Sequence, residues 1–201
     1  MKCLYIYNAL SGSNKEKRNH NIIINRLKKI YSSLECFEIT KEKNEIDKIL
    51  EYNFDDIILS GGDGSFSLFI NHLSNINFEG CIGYIPTGTA NDFARNNRIP
   101  LDIDKSLDLI ENRQYEEESL GKVNDRYFTY ALALGKISNV GYKTKQENKK
   151  LFKKFSYILS GLKELFSNKL YDIKIKSSKF EKVLKTPLIL VLNTNYLGGF
   201  K

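Results

Sequence analysis

Two short apolar runs each end in a glycine-rich turn that opens a helical pattern, and this pair constrains the fold more than any other feature. The first run is Asp56–Leu59 (DIIL), which passes into Ser60-Gly61-Gly62-Asp63-Gly64-Ser65. Apolar Phe66, Phe69, Ile70 and Leu73 follow at helical spacing. The second is Cys81–Ile85 (CIGYI), which passes into Pro86-Thr87-Gly88-Thr89-Ala90-Asn91-Asp92-Phe93-Ala94-Arg95. Continuous apolar runs of this length suit strands buried on both faces.

The same alternation extends upstream. Lys2–Tyr7 (KCLYIY) and Leu34–Ile39 read as strands, and Asn44–Tyr52 as a short helix. Lys15–Ser33 reads as a helix with Ile22, Ile23, Arg26, Leu27 and Ile30 along it. Strands alternating with helices predict an α/β domain over residues 1–115, built on a mostly parallel sheet covered by helices. The character changes near Arg113–Ser119. Ser119–Val123 and Tyr127–Leu134 read as paired strands around Asn124-Asp125. Leu170–Lys176, Lys182–Lys185 and Leu188–Asn193 read as further strands, antiparallel in pattern. Residues 116–201 are therefore expected to be part of a β-rich second domain with one inserted helix, Lys149–Phe166.

Of the 201 residues, 41% are hydrophobic, with 12 Tyr and 12 Phe, so the chain carries enough apolar material for a packed core. Cys3, Cys36 and Cys81 stand far apart in or beside apolar runs, the pattern of buried thiols in a reducing cytoplasm. The apolar start MKCLYIY is too brief for a secretory signal, and no segment is long enough to span a bilayer. The net charge of +7 is uneven. Lys136–Lys185 holds 14 Lys against four acidic residues, leaving the remainder mildly acidic. A basic second part suits an anionic partner, lipid headgroup or nucleic acid, and is equally read as a solvated face. Lys149–Phe166 adds an apolar stripe of Leu151, Phe155, Leu159, Leu162 and Phe166 beneath crowded lysines. That is the form of a membrane-surface helix, and also of an ordinary helix packed on its own domain.

The chemistry gathers in the turns. Glycines at Gly61, Gly62 and Gly64 let backbone approach a phosphate chain with no Cβ in the way. The helix start behind them offers unpaired N–H groups and a positive dipole end. Asp63 repels phosphate by itself, so its role there is to hold a divalent cation, directly or through water, or to orient a reacting hydroxyl. The bland alternative is a tight turn in which Asp63 only caps a helix. In the second turn, Gly88 and Thr89 offer donors, and Asn91 or Asp92 suits an N-cap. Two such turns on neighbouring parallel strands converge where open α/β sheets bind ligands. A third loop, Asn8-Ala9-Leu10-Ser11-Gly12-Ser13, follows the first strand. The chain contains no GxxxxGK[ST] and no GxGxxG, which counts against a P-loop kinase and an ordinary dinucleotide dehydrogenase. No GxSxG is present, and His20 and His72 have no ligand-spaced partner.

Taken together, NxxSG at Asn8–Gly12, GGDGS at Gly61–Ser65 and PTGTANDFAR at Pro86–Arg95 resemble the diacylglycerol kinase catalytic domain family, which includes bacterial lipid kinases and sphingosine kinases. LGKVNDRYFTYALALGKISNVGYKT at Leu120–Thr144, KKLFKKFSYILSGLKEL and LILVLNTNYLGGF are similar to the family's later segments, so the likeness spans nearly the whole chain. The resemblance implies transfer of the ATP γ-phosphoryl to a lipid alcohol with Mg²⁺. It implies nucleotide contacts at Asn8, Ser11, Gly12, Thr40, Gly61, Gly62, Asp63, Gly64, Ser65, Gly88, Thr89 and Asn91, and an acidic network that includes Asp63 and Asp92. Asp63 is the residue expected to bear on the metal, through water. It further implies a cytoplasmic enzyme at the inner face of an anionic membrane, with no nucleic-acid partner. Family members carry Pro at Ala9, Thr at Ser65, Asn at Ser67 and, more consequentially, an aspartate at Ser119. They continue for about another hundred residues, a stretch expected to supply the general base and a structural Mg²⁺ site. A chain stopping at Lys201 is thus expected to be slow or inactive, and to self-associate, as a homodimer for example, through unpaired strand edges. NAD kinases share the GGDG turn and are the first alternative. A non-catalytic nucleotide-binding remnant is the second.

Overall fold

Strands β1 (Lys2–Tyr7), β2 (Ser33–Glu38), β3 (Asp56–Gly61) and β4 (Cys81–Pro86) form one parallel sheet in the order β2-β1-β3-β4. The computed structural model describes residues 1–7, 14–39, 53–74, 78–135, 170–176 and 179–195. The expected helices at Asn44–Tyr52 and Lys149–Phe166 lie outside them. Register aligns Tyr7 with Ser60 and Gly61 with Pro86, so the carboxyl ends of β1, β3 and β4 share one rim.

Strand residues alternate between two faces, and both faces are buried along β1 and β3. On one side Leu4, Ile6, Ile57, Leu59 and Tyr84 pack against Phe66, Phe69, Ile70 and Leu73 of α2 (Asp63–Leu73) and against Phe93 and Ala94 of α3 (Asp92–Asn96). On the other, Cys3, Tyr5, Ile58 and Ile85 meet Ile23 and Leu27 of α1 (Asn14–Ile30) and Leu107 of α4 (Ile103–Glu111). Burial of both faces is why β3 reads as an unbroken apolar run, every one of its residues being buried. Each fully buried aliphatic side chain contributes about 1.5–3 kcal/mol.

The α1 stripe is narrower than its spacing suggests. Ile23 and Leu27 enter the core, Ile22 is exposed, and Arg26 turns to the carboxylates of Asp108 and Glu111 on α4. Helix α4 was absent from the sequence expectation. It buries Ser106 and Leu107, and packs the half-buried Ile103 and Ile110 against the same core. Its start is secured by the Asp102 side chain, which accepts from the Lys105 N–H at 3.1 Å.

Contacts divide the chain into Met1–Tyr130 with Thr194–Lys201, and Ala131–Asn193. In the first unit, β5 (Gly121–Val123) and β6 (Arg126–Phe128) make a tight antiparallel hairpin. The strand expected over Tyr127–Leu134 is in fact two. The chain leaves the hairpin at Thr129-Tyr130, and β7 (Ala131–Gly135) pairs antiparallel with β10 (Leu188–Leu192) in the second unit. There, β8 (Tyr171–Lys176) and β9 (Glu181–Thr186) form another antiparallel pair. The architecture is α/β with a parallel sheet and added β-rich elements.

At the amino-terminal rim of the sheet, the buried Asp56 carboxylate is fully engaged. The Tyr31 hydroxyl donates to it at 2.7 Å, and the Arg113 guanidinium donates at 2.7 and 3.3 Å. Burial, and then this hydrogen bond, pushes the Tyr31 phenol above its ordinary pKa, so it stays a donor. Tyr31→Phe removes that donor without a change of shape and is expected to lower stability by about 1–3 kcal/mol, the range for a hydrogen bond to a buried charge. Urea denaturation measures it, and a loss below about 0.5 kcal/mol would contradict the assignment.

Candidate functional site

The two glycine turns meet at the carboxyl rim. Beyond the last ladder pair, Thr87 N–H donates to the Gly61 carbonyl at 2.9 Å, and the Tyr84 hydroxyl donates to the same oxygen at 3.0 Å. The backbones then touch. A Cβ placed on Gly62 would stand 3.2 Å from Gly88 Cα. One placed on Gly88 would collide with Gly62 Cα and come within 2.7 Å of Asn91 Oδ1. Only glycine fits at Gly88, and the reason is the neighbouring turn.

Asp63 ties the two turns together. Its Oδ1 accepts from the Phe93 N–H at 3.1 Å, so the first residue of α2 caps the start of α3. The capping alternative is therefore realised, but on the neighbouring helix and not on the one Asp63 begins. This bond uses one of the carboxylate's two oxygens. Of the two N-cap candidates, Asn91 is the one at the N-cap position of α3. Asn91 occupies the position before α3, yet its side chain makes no capping bond. It sits at φ 52 and ψ 47, the left-handed region that Asn tolerates better than most residues. Its amide turns back to Gly88, accepting from Gly88 N–H and donating to Gly88 O, both at 3.0 Å. Gly88 N–H is thus committed within the turn. Arg95 Nε donates to Ala90 O at 2.9 Å and braces the same loop.

Aromatic side chains wall the site from below. The Phe66 ring lies 4.5 Å from that of Tyr84 and 4.3 Å from that of Phe93. Burial, then the charge of Asp63, pushes the Tyr84 phenol up. Tyr130 is affected by both carboxylates: burial first, then Asp63 and Asp92, raise its phenol to about 12. Neither tyrosine was singled out in the sequence. Tyr84 was absorbed into an apolar strand and Tyr130 into a run read as another. What distinguishes them is the charge of Asp63, which bears on both, and that of Asp92, which bears on Tyr130.

Of the expected site residues, Gly61, Gly62, Asp63, Gly64, Ser65, Gly88, Thr89, Asn91 and Asp92 are gathered in these two turns. Asp92 is 2% exposed, whereas Thr89 is open to solvent. Asn8, Ser11, Gly12 and Thr40 lie outside the described residues. Tyr7 and Ile39, the last described residues before them, stand together at this rim, with Ile39 N–H donating to Tyr7 O at 2.8 Å. Gly64 differs from the other turn glycines, because a Cβ there would meet nothing within 4 Å among the described residues. Among the described residues no group of three His, Cys, Asp or Glu makes a metal cage. A cation here would rest on one or two carboxylates and on the ligand's own oxygens, as Mg²⁺ commonly does beside phosphates.

Comparison with known proteins agrees with this geometry. The family model for the diacylglycerol kinase catalytic domain matches residues 2–123. A diacylglycerol kinase of Staphylococcus saprophyticus is 31% identical over 98% of this chain and 65% of its own length. One from Staphylococcus aureus strain RF122 is 30% identical over 98% of this chain and 63% of its own length. The chain thus spans less than two thirds of these relatives. Among solved structures, a diacylglycerol kinase from Bacillus anthracis matches with a TM-score of 0.74 and 25% identity. It covers 99% of this chain and 68% of that one. A second B. anthracis structure, provisionally assigned to the same enzyme, matches at 0.79 and 28%, over 99% and 67%. With a family match over more than half its length, the chain belongs to the diacylglycerol kinase catalytic domain family.

Proposed function

We propose that this chain is the nucleotide-binding part of a lipid kinase that transfers the γ-phosphoryl of ATP to the hydroxyl of a lipid such as diacylglycerol. The observation that carries this reading is Gly64. Glycine in a helix costs about 0.5–1 kcal/mol relative to alanine, and among the described residues nothing packs against this position. A residue that no described residue packs against, at the start of a helix and beside a second glycine turn, suits a close-approaching phosphate chain.

The geometry supports the following roles. The start of α2 offers N–H groups to phosphate oxygens, and Thr89 offers its hydroxyl. Asp63 and Asp92 are the groups to hold Mg²⁺ through water. Bound there, Mg²⁺ would offset the charge of the triphosphate. The Asp63–Phe93 bond keeps the two turns at a fixed separation, so the reacting groups need no reorganisation. Asn8, Ser11, Gly12 and Thr40 are proposed to complete the nucleotide contacts. The lysine-rich later part, and the need to reach a lipid hydroxyl, favour work at an anionic membrane surface from the cytoplasmic side. Among the described residues no helix is long and apolar enough to cross a membrane.

The direct test is a radiolabelled ATP assay over a panel of lipid alcohols, with NAD as a competing acceptor, using the longest open frame that contains this chain. Label in NAD alone, or in no acceptor, would overturn the reading. Two variants sharpen it. Gly64→Ala is expected to raise stability by about 0.5–1 kcal/mol while lowering turnover or ATP affinity by roughly tenfold or more. Unchanged kinetics would show that no phosphate approaches there. Asp63→Asn is expected to keep the fold, since its amide oxygen still accepts from Phe93 N–H, and to lower kcat by about 100-fold or more. Wild-type turnover in that variant would remove Asp63 from the chemistry.

A further inference from the structure

The second unit carries a surface that the phosphate site does not use, the β8–β9 pair. Strand alternation gives it two unlike faces. On one, Tyr171, Ile173, Ile175 and Leu184 are half-buried, and the residues between them are exposed. On the outer face the register sets Lys174 opposite Val183, Lys176 opposite Glu181 and Lys185 opposite Asp172. Val183 is 67% exposed there, and Phe180, next to the last ladder pair, is 55% exposed. Leu170–Thr186 holds five lysines, all exposed, against two carboxylates, a surplus of three positive charges.

The two carboxylates each have a lysine at hand. Glu181 is bridged to Lys174 at 2.5 Å, and Asp172 faces Lys185. Lys176, Lys179 and Lys182 are the surplus, and all three lie in the turn half of the pair with Phe180 and Val183. An exposed valine by itself is an ordinary strand residue, and a single exposed aromatic is common. The conjunction is what asks for a partner. Apolar side chains among long cationic ones suit the boundary between lipid headgroups and acyl chains, where lysine stems lie along apolar surface and their ends meet phosphates. A nucleic acid would supply the phosphates too. It would leave Val183 without a partner, and it would call for several stacking rings where this surface exposes one.

We infer that the turn half of the β8–β9 pair is a docking surface for an anionic lipid bilayer, with Phe180 and Val183 entering the headgroup boundary and the lysines around them meeting lipid phosphates. The kinase reading supplies the reason for this protein to approach a membrane, and the inference rests on it there. The docking itself stands on the exposure, register and charge of this one element. Each lysine brought to an anionic surface strengthens binding roughly fivefold, so the surplus of three accounts for about 100-fold.

Vesicle co-sedimentation of the full chain tests this without any need for activity. Wild-type protein is expected to bind vesicles of equal parts phosphatidylcholine and phosphatidylglycerol at least about tenfold more tightly than vesicles of phosphatidylcholine alone, and less tightly as salt rises. Replacing the surplus, Lys176→Gln with Lys179→Gln and Lys182→Gln, leaves the Lys174–Glu181 bridge in place and is expected to weaken binding about 100-fold. Phe180→Ser, which lies outside the ladder and so spares the strand pairing, is expected to weaken it about tenfold. The control removes the same charge from exposed lysines of the first unit, Lys28→Gln with Lys29→Gln and Lys105→Gln, and is expected to change binding by less than about twofold. Wild-type binding in the first triple variant or in Phe180→Ser would overturn the docking role. So would an equal loss in the control, or wild-type affinity that ignores phosphatidylglycerol. Capture of a single-stranded oligonucleotide in preference to vesicles, lost in the first triple variant, would assign the surface to nucleic acid and overturn it as well. Should that variant not fold, as judged by its thermal unfolding, Phe180→Ser decides. Phosphorylation of a water-soluble short-chain diacylglycerol is expected to be the same in all variants. Its absence from the wild type would count against the kinase reading and leave the docking to the vesicle measurements.

Discussion

Contact between Gly62 and Gly88 is the constraint from which the site follows. Two parallel strands 4.7–4.9 Å apart bring their carboxyl ends together as a matter of sheet geometry. Side chains at those ends would normally spread the departing loops. Here neither turn carries a Cβ at the point of approach, and the backbones close to contact. The carboxylate of Asp63 can then reach the next helix, and the amide of Asn91 can fold back inside its own turn. A larger residue at Gly88 would disturb the spacing, the cap and the turn together.

This arrangement places acidic groups beside the exposed start of a helix. The polar side chains are held by backbone partners: Asp63 by Phe93 N–H, Asn91 by Gly88, Arg95 by Ala90 O. Such bonds preorganise a site, because the groups that act are already immobile when a ligand arrives. The aromatic trio beneath them excludes water from one side, which strengthens every charge interaction above it. The opposite rim of the same sheet uses the same logic for stability. Asp56 is buried there with the Tyr31 hydroxyl and the Arg113 guanidinium as its partners.

Much of this was legible in the chain of residues. The four strands, α1 and α2 were readable because a sheet covered on both faces demands continuous apolar runs, and a helix on such a sheet demands a 3.6-residue stripe. The glycine turns were readable for a related reason: glycine at the end of an apolar run has few other uses. The stretch over Tyr127–Leu134 was misread as a single strand because an apolar run records burial and not the partner. β6 pairs with β5, whereas β7 pairs with β10, more than fifty residues away. Helix α4 was missed although Ile103, Leu107 and Ile110 recur at helical spacing, because a stripe of three residues over two turns is too short to stand out, and only packing on α1 and β4 secures it.

What the sequence determined by itself was local and periodic: which segments are strands, which are helices, where the backbone must be free of side chains, and which family such a pattern resembles. Tertiary structure alone decided the pairings between those segments. That Asp63 caps α3 and not its own helix, that Asn91 serves Gly88, and that Asn71 grips Tyr127 all depend on residues brought together from 3 to 56 positions apart. The physical reason is that a polar side chain's partner is set by distance and direction after the sheet has closed. Hydrophobic periodicity is already present before any strand has found its neighbour.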